Sequence, residues 1–472
     1  MNATTVLEIF KEITKIPRES GHEGPMTDFL VRWAESRHLS HKRDAVGNVL
    51  IVREATPGKE HIPTIVLQGH QDMVCEKKPE SRHDFAKDPI PYVIRDGWMI
   101  AEETTLGADD GIGIAACLAL LDSDLPTGRL ECVFTVSEET AMDGAENMEP
   151  GFFDGKVLIN LDSEDEGQLF IGCAGGINTH AVFHYTPVPV ENDCVRLNIG
   201  GALGGHSGDD INKERMNAVQ QMARFLYNEL EHGFRLVSFD GGNKSNAIAR
   251  DCEAILSVPK PEETLRRFES FGWMVRSEFS VSDPDAYFTG SLTARPDSAV
   301  DDATAAALVR ALTGCMHGVI AMSQDIPGFV ETSTNLASVK MEEGSTIRVV
   351  TSQRSSGLFT RRLAEQKVRA VFELAGAELS SMHAYPGWKP NVSSHILEVC
   401  VESYRRLFHT EPEVKSIHAG LECGLFLQKF PGLDMISFGP TLRGVHAPGE
   451  RMELASLDKF VDLLIDVVCH FK

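Results

Sequence analysis

Positive charge is scarce in this chain of 472 residues. Lysine and arginine together number 45 against 69 aspartates and glutamates, which gives a formal net charge of -24 at pH 7. Nucleic acids and anionic membrane surfaces are bound through clustered basic side chains. The balance of charge therefore predicts neither a nucleic acid nor a membrane as a partner. An acidic excess mainly favours solubility, and part of it can serve to bind cations.

Paired cysteines and long apolar runs are also absent. None of the ten cysteines belongs to a Cys-x-x-Cys motif, so we expect reduced thiols rather than a disulfide framework. The longest apolar run, at 111–121, is too short to span a bilayer. The first twenty residues contain acidic side chains and no uninterrupted apolar segment, unlike a signal peptide. Together these absences predict a cytoplasmic protein.

The length of the chain predicts more than one domain, because a single hydrophobic core rarely grows beyond about 300 residues. Over 1–186, apolar strands alternate with helical patterns, which predicts an α/β domain with helices on both faces of a mixed sheet. A different series of strand and helix pairs fills 187–393, and 394–472 returns to helices around a core strand. We therefore predict an α+β domain over 187–393 that is inserted into the α/β domain.

A histidine and an aspartate follow one of these apolar strands. His70 and Asp72 stand two positions apart, so along an extended chain their side chains point the same way. A carboxylate beside a histidine can fix the tautomer of a metal ligand. A histidine at a strand end is more often structural, so this pair alone is weak support for a metal site.

Two pairs of adjacent carboxylates come next. Asp109 and Asp110 precede a helical pattern, where acidic residues commonly cap the helix but also suit a cation site. Glu138 and Glu139 end an apolar strand and would repel each other unless a positive charge lay nearby. Both can reach one site if the chain turns at Thr140. One could then bind a metal while the other acts as general base, although an exposed strand end is the plain alternative.

Asp162 and His446 also follow predicted core strands, so all these polar groups lie at or just beyond the carboxyl ends of strands. In an open α/β sheet, those ends share the edge where ligands bind. Histidines and carboxylates gathered there form a mixed nitrogen and oxygen site. Such a site suits zinc, manganese or cobalt rather than calcium.

The residues singled out above lie in five segments, which are GHQDMV (69–74), LGADDGIG (106–113), VSEET (136–140), NLDSE (160–164) and GVHAP (444–448). In this order along the chain, the five segments resemble the M20 metallopeptidases. Three further segments are GCAGG (172–176), GGHSGDDI (204–211) and HAGLECG (418–424). These three are similar to the aminoacyl-histidine dipeptidase type within that family, also called cytosolic non-specific dipeptidases. The resemblance covers nearly the full length of the chain.

The resemblance implies a catalytic α/β domain that holds two divalent metal ions, most readily Zn²⁺, with Mn²⁺ or Co²⁺ as alternatives. Asp109 would bridge both ions. His70 and Asp162 would complete the shell of one ion, and Glu139 and His446 the shell of the other.

The resemblance also assigns residues beside the ligands. Asp72 would orient the histidine that precedes it, and Glu138 would be the general base for a water shared by the metals. Family members hold a cis peptide after the bridging aspartate, which corresponds to the bond between Asp109 and Asp110.

The inserted domain would be a lid and dimerisation domain, which implies a homodimer and a hinge motion that gates turnover. His206 would polarise the scissile carbonyl, and Asn246 and Gly420 would contact the substrate. Arg354 would bind the substrate's carboxylate, a task that suits a planar fork of donors.

Ser333 and Asn335 would line the same cleft. The segment 351–356 reads TSQRSS where the resemblance leads us to expect a VRSS-like sequence. The arginine is retained but its neighbour differs, which leaves the preferred substrate side chain open.

The implied activity is hydrolysis of Xaa-His and other dipeptides. A tripeptidase or an aminoacylase on the same scaffold is the alternative among enzymes. A non-catalytic binding protein is the alternative of another class, but such a relative would be expected to lose the general base or a ligand. This chain retains all of them.

Overall fold

A computed structural model describes all 472 residues of the chain. The helices are α1 (Ala3–Ile13), α2 (Gly24–Ser36), α3 (Ala108–Leu121), α4 (Glu138–Ala141), α5 (Asp143–Asn147), α6 (Ala218–Glu229), α7 (Pro261–Glu278), α8 (Asp302–Gly314), α9 (Leu358–Leu374), α10 (His395–Phe408), α11 (Cys423–Lys429) and α12 (Leu454–His470). The strands are β1 (Ser40–Arg43), β2 (Val49–Arg53), β3 (Ile65–His70), β4 (Val93–Arg95), β5 (Trp98–Ile100), β6 (Leu130–Thr135), β7 (Val157–Asn160), β8 (Gln168–Cys173), β9 (Gly175–His184), β10 (Pro187–Pro189), β11 (Cys194–Gly200), β12 (Arg235–Gly241), β13 (Cys252–Ser257), β14 (Tyr287–Thr293), β15 (Ser298–Val300), β16 (Gly318–Met322), β17 (Val330–Glu342), β18 (Thr346–Ser355), β19 (Glu378–Tyr385), β20 (Glu413–Ile417), β21 (Asp434–Ser437), β22 (Leu442–Arg443) and β23 (Arg451–Glu453).

The chain forms two compact units, and the second is inserted into the sequence of the first. The second unit begins at Cys173 rather than at the predicted position 187, because β9 pairs along its length with β18 and so belongs to the second unit's sheet. Unit 1 consists of Met1–Gly172, Pro390–Ser416 and Leu421–Lys472, and unit 2 of Cys173–Lys389 and Ile417–Gly420.

An eight-stranded mixed sheet forms the centre of unit 1, as predicted. Its strand order is β1-β2-β6-β3-β7-β21-β8-β20. The four central strands β6, β3, β7 and β21 are parallel, whereas β2 and β8 run antiparallel to their neighbours. Every residue of β3 and β6 is buried, as a parallel sheet covered on both faces requires. The carboxyl ends of the four central strands therefore meet at one edge.

The apolar run at 111–121 forms most of α3, which packs against α1 and β3. Every residue of this run is buried, which is typical of a helix in the middle of a core. The preceding Asp109 and Asp110 have non-helical backbone angles, so the regular helix starts where the sequence predicts it. None of the helices combines the length and the hydropathy needed to cross a bilayer.

Unit 2 is built on a nine-stranded antiparallel sheet. Its strand order is β14-β11-β13-β12-β17-β18-β9-β19, and β16 pairs with β17. Buried phenylalanines between the sheet and its helices include Phe183, Phe225 and Phe372. Helix α6 starts at Ala218, where the side chain of Asn217 accepts a hydrogen bond from the backbone N–H of Gln220 and caps the helix.

Candidate functional site

Two groups of potential metal ligands meet at the carboxyl edge of the unit 1 sheet, and Asp109 belongs to both. One group adds His70 and Asp162, and the other adds Glu139 and His446. Within each group, the ligand atoms lie within 4.8 Å of one another. The parallel strands explain this convergence, since β3, β6, β7 and β21 all end at that edge.

The two carboxylate oxygens of Asp109 face different histidines. Its Oδ1 lies 3.0 Å from Nε2 of His70, and its Oδ2 lies 3.1 Å from Nε2 of His446. The remaining carboxylates stand on either side: Asp162 Oδ1 is 3.4 Å from His70 Nε2, and Glu139 Oε2 is 2.9 Å from His446 Nε2. This is the arrangement that a bridging carboxylate requires.

The carboxylates of these two ligand groups carry negative charge that bound cations would neutralise. Burial alone would lower the pKa of His70, but the carboxylates of Asp162 and Asp109 raise it well above its usual value. Hydrogen bonds to Asp109 and Glu139 raise the pKa of His446 to about 11. Three carboxylates thus lie close to two imidazoles in a largely buried site. Nitrogen and oxygen donors in this ratio fit two divalent ions better than they fit protons.

Asp72 lies between the histidine side and the glutamate side of the cluster. Its Oδ1 is 3.4 Å from His70 Nδ1, where a carboxylate can orient the ring. The two carboxylate oxygens also accept hydrogen bonds from the backbone N–H groups of Glu138 (3.1 Å) and Glu139 (3.2 Å). Ser20 Oγ donates to the same carboxylate at 2.8 Å. Asp72 therefore holds the ring of His70 and the backbone of both Glu138 and Glu139 in place.

The adjacent glutamates reach the site because the chain turns earlier than expected. β6 ends at Thr135, and Ser137 adopts a left-handed conformation with φ 55°, so the turn precedes Thr140. The carboxylate of Glu23 stabilises this turn by accepting the backbone N–H of Ser137 at 2.9 Å. As a result, Glu138 and Glu139 lie on the short helix α4, and both carboxylates can share a cation with His70.

Asp110 does not join the ligands. The peptide bond between Asp109 and Asp110 is cis, as the family resemblance implies. The Asp110 carboxylate accepts hydrogen bonds from the backbone N–H groups of Gly113 (3.2 Å) and His70 (3.3 Å). For Asp110 the alternative interpretation as a helix cap is therefore the better one.

The other predicted residues lie in unit 2. The Nδ1 atom of His206 accepts hydrogen bonds from the backbone N–H groups of Gly208 and Asp209, both at 3.3 Å. Gly208 is required here, because a Cβ would clash with the carbonyl oxygen of His418 and would come within 3.1 Å of Nδ1 of His206. The imidazole is thus held by its own loop, where Nδ1 also lies 3.3 Å from Oδ2 of Asp209.

Asn335 supports the loop of Asn246 rather than lining a cleft. It is 1% exposed, and its Nδ2 donates to the carbonyl oxygens of Ser245 (3.1 Å) and Ala247 (2.8 Å). The carbonyl oxygen of Asn246 itself accepts a hydrogen bond from the backbone N–H of Ser207 at 2.8 Å. These bonds join the loop of Asn246 to that of His206.

Arg354 is a nearly buried cation without a carboxylate partner. It is 7% exposed, its Nη1 donates to Tyr385 Oη at 3.1 Å, and its Nε has no partner. Gly176 makes this contact possible, since a Cβ there would lie 2.6 Å from the Tyr385 ring. Gln353 is the residue that departs from the VRSS-like pattern, and its side chain forms hydrogen bonds with Thr179 and Thr351. Neighbouring residues of a strand point to opposite faces, so this difference does not alter the face that carries Arg354.

His418, two residues before Gly420, is a buried histidine that the sequence did not single out. Its Nε2 lies 2.7 Å from Oγ of Ser333, the residue opposite Arg354 on the paired strand. Burial and the nearby charge of Arg354 lower the pKa of His418 to about 3. The ring is therefore neutral at physiological pH and does not compete with Arg354 for an anion.

Residues 66–470 match the family model of peptidase family M20/M25/M40. The chain belongs to this family. Members are peptidases, which are hydrolases of peptide bonds, and the resemblance seen in the sequence is thereby confirmed.

Three similar proteins each match almost the whole of this M20 peptidase. It is 36% identical over 467 residues to the cytosol non-specific dipeptidase of Escherichia coli K12, covering 98% of this chain and 96% of the relative. The crystal structure of aminoacylhistidine dipeptidase from Vibrio alginolyticus superposes with a TM-score of 0.91 at 36% identity, covering 99% and 96% of the two chains. Aminopeptidase PepT from Bacillus cereus, at 15% identity and a TM-score of 0.59 over 99% of this chain and 98% of its own, shares the fold.

Three buried charged residues of this M20 peptidase were missed by reasoning from the sequence. Glu422 accepts hydrogen bonds from Gln68 Nε2 (2.7 Å) on β3 and from Thr135 Oγ1 (2.8 Å) at the end of β6. Arg18 and Glu450 hold backbone loops beside the ligands. None of the three stands directly at the end of a predicted strand, so the pattern that indicated the candidate ligands did not indicate them.

Proposed function

We propose that this M20 peptidase is a dipeptidase that depends on two divalent metal ions and hydrolyses Xaa-His and other dipeptides. The observation that carries the proposal is the position of Asp109, which has one carboxylate oxygen towards each histidine and could serve two ions. The names of the two relatives at 36% identity, an aminoacylhistidine dipeptidase and a non-specific dipeptidase, support the choice of substrate.

In this proposal His70, Asp109 and Asp162 hold one ion. The second ion is held by Asp109 together with Glu139 and His446. Zn²⁺ suits two imidazoles and three carboxylates best, with Mn²⁺ or Co²⁺ as alternatives. When bound, such a pair of ions activates water and polarises the peptide carbonyl.

Glu138 is the proposed general base. It takes a proton from the attacking water and delivers it to the leaving amine. Its backbone is fixed by Asp72, and its carboxylate lies close enough to His70 and Glu139 to share a cation with them. Glu138 therefore lies beside the proposed metal ligands, but neither of the two ligand groups that contain Asp109 includes it. Its carboxylate is thus free to accept a proton.

Unit 2 supplies the proposed contacts to the peptide. Arg354 binds the carboxylate of the dipeptide, which limits substrates to short peptides, and His206 polarises the scissile carbonyl. Asn246 and Gly420 contact the rest of the substrate. The nearly buried guanidinium of Arg354 makes no salt bridge and leaves its Nε without a partner, which supports this role, because a carboxylate would supply both.

Replacing Arg354 with lysine should raise KM for dipeptides about tenfold or more and change kcat little, because the charge remains but the paired hydrogen bonds are lost. The measurement is steady-state kinetics on a dipeptide and on its C-terminal amide. Arg348→Lys, on the same strand but partly exposed and paired with Glu342, is the matched control and should leave KM unchanged. An equal loss on dipeptide and amide would show that Arg354 does not bind the carboxylate.

We also propose a cytoplasmic location and a homodimer formed through unit 2. Trp273 and Leu292, which are 70% and 63% exposed on this unit, support an association surface there. Sedimentation of the purified protein distinguishes a dimer from a monomer.

A substrate panel tests the proposed activity against its alternatives. The panel contains an Xaa-His dipeptide, a dipeptide without histidine, a tripeptide and an N-acyl amino acid, each assayed with added Zn²⁺ or Mn²⁺. The proposal requires the highest kcat/KM for the dipeptides. Preference for the tripeptide or for the N-acyl amino acid would favour a tripeptidase or an aminoacylase. Metal binding without any hydrolysis would favour a binding protein.

A further inference from the structure

The carboxylate of Glu450 holds the loop that leads into Asp109. It accepts hydrogen bonds from the backbone N–H groups of Leu106, Gly107 and Ala108, at 2.7, 3.0 and 2.8 Å. The residue is 2% exposed. Three successive amides directed at one buried carboxylate fix the path of the chain immediately before the bridging ligand.

The guanidinium of Arg18 holds the same loop from its carbonyl side and a second loop as well. Its Nη2 donates to the carbonyl oxygen of Gly107. Its Nη1 donates to the carbonyl oxygens of Gln71 (3.2 Å) and Asp72 (2.7 Å), which follow β3. Arg18 is also 2% exposed. One side chain thus joins the loop after β3 to the loop before α3.

Gly107 fits between these two charges because it has no side chain. Its φ of +67° favours glycine, and a Cβ there would clash with Arg18 and lie 2.7 Å from Sδ of Met73. Glu450 in turn lies four residues after His446, and its backbone oxygen accepts the N–H of Ala101 at 3.0 Å. The loops of three proposed ligands are therefore cross-linked by two buried, opposite charges.

We propose that Arg18 and Glu450 are positioning residues that set the affinity of the metal centre. They act through the backbone that carries His70, Asp109 and His446. The inference rests on the proposed function, because it assumes that these side chains bind metal. Groups that orient metal ligands from behind typically contribute about 10–100-fold to metal affinity.

Glu450→Gln tests the proposal, because the amide keeps the size but has one acceptor oxygen for three N–H groups. We expect its metal-free form to bind Zn²⁺ at least about tenfold more weakly than wild type, with activity largely restored by excess metal. The measurement is competition with a chromophoric chelator, beside the melting temperature of the metal-free protein. Arg18→Lys, which keeps the charge but cannot reach all three carbonyls, should weaken Zn²⁺ binding in the same way.

Glu131→Gln is the matched control. Glu131 is a fully buried glutamate of β6 whose Oε2 accepts the backbone N–H groups of Asp154 and Gly155, both at 2.9 Å, far along the strand from the ligands. Its replacement should lower the melting temperature and leave Zn²⁺ affinity unchanged.

The outcomes separate the two levels of the proposal. Wild-type affinity in both Glu450→Gln and Arg18→Lys, with melting temperatures lowered as in Glu131→Gln, would overturn the positioning role and leave the proposed function intact. A wild-type protein that binds no stoichiometric Zn²⁺, Mn²⁺ or Co²⁺ would contradict the proposed function itself, and the inference with it.

Discussion

Replacing Asp109 with alanine should abolish nearly all dipeptidase activity and remove most of the bound metal. One carboxylate serves both proposed ions, so its loss weakens both sites together. The fold should persist, because the side chain lies at the sheet edge rather than among the packed strands. Three measurements on the purified variant check this prediction. Elemental analysis measures the bound metal, kcat/KM measures the activity, and far-ultraviolet circular dichroism shows whether the fold persists.

Asp143→Ala is the control for Asp109→Ala, since Asp143 is an exposed aspartate of the same unit on the short helix α5. It should retain wild-type metal content and activity. An Asp109→Ala protein with full activity in added metal would show that the site has been wrongly assigned.

Glu138→Gln should lower kcat by at least about 10²-fold, the usual scale for loss of a general base, and should keep both metals. The amide is nearly isosteric and removes only the ability to take a proton. Glu139→Gln should instead weaken one metal, because Glu139 contacts His446 and shares a ligand group with Asp109. Excess metal should partly restore its activity.

The two glutamates are adjacent in sequence, so each variant is the matched control for the other. Metal stoichiometry and kcat are measured on both purified proteins. If Glu138→Gln loses a metal while Glu139→Gln keeps two, the roles of base and ligand are reversed in this chain.

The candidate ligands could be brought together from the sequence because they follow a simple topological rule. His70, Asp162 and His446 lie at or beyond the ends of apolar strands, and parallel strands bring those ends to one edge. The pattern could not separate Asp109 from Asp110. That distinction depends on which carboxylate caps α3, and the backbone amides of Gly113 and His70 settle it in the structure.

Other features lay beyond the sequence because they depend on contacts between distant residues. The turn at Ser137 is stabilised by Glu23, more than a hundred positions away along the chain. Likewise, the boundary of unit 2 at Cys173 follows from the pairing of β9 with β18, which no local pattern indicates.

The buried charges were missed for a related reason. Arg18 and Glu450 bind backbone groups, so they need no particular neighbour in sequence and show no periodicity. Asn335 was predicted to line a cleft, yet its amide is used to hold the loop of Asn246. Side chains that act through the backbone are recognised only when the backbone is in place.

The most direct test of the central claim is to measure metal content and dipeptide hydrolysis on the same sample before and after removal of metal by a chelator. The proposed centre predicts two equivalents of divalent metal per chain in the active protein, no hydrolysis by the metal-free protein, and recovery of activity as two equivalents of Zn²⁺, Mn²⁺ or Co²⁺ are added back. Undiminished hydrolysis of dipeptides by protein that contains no metal would contradict it.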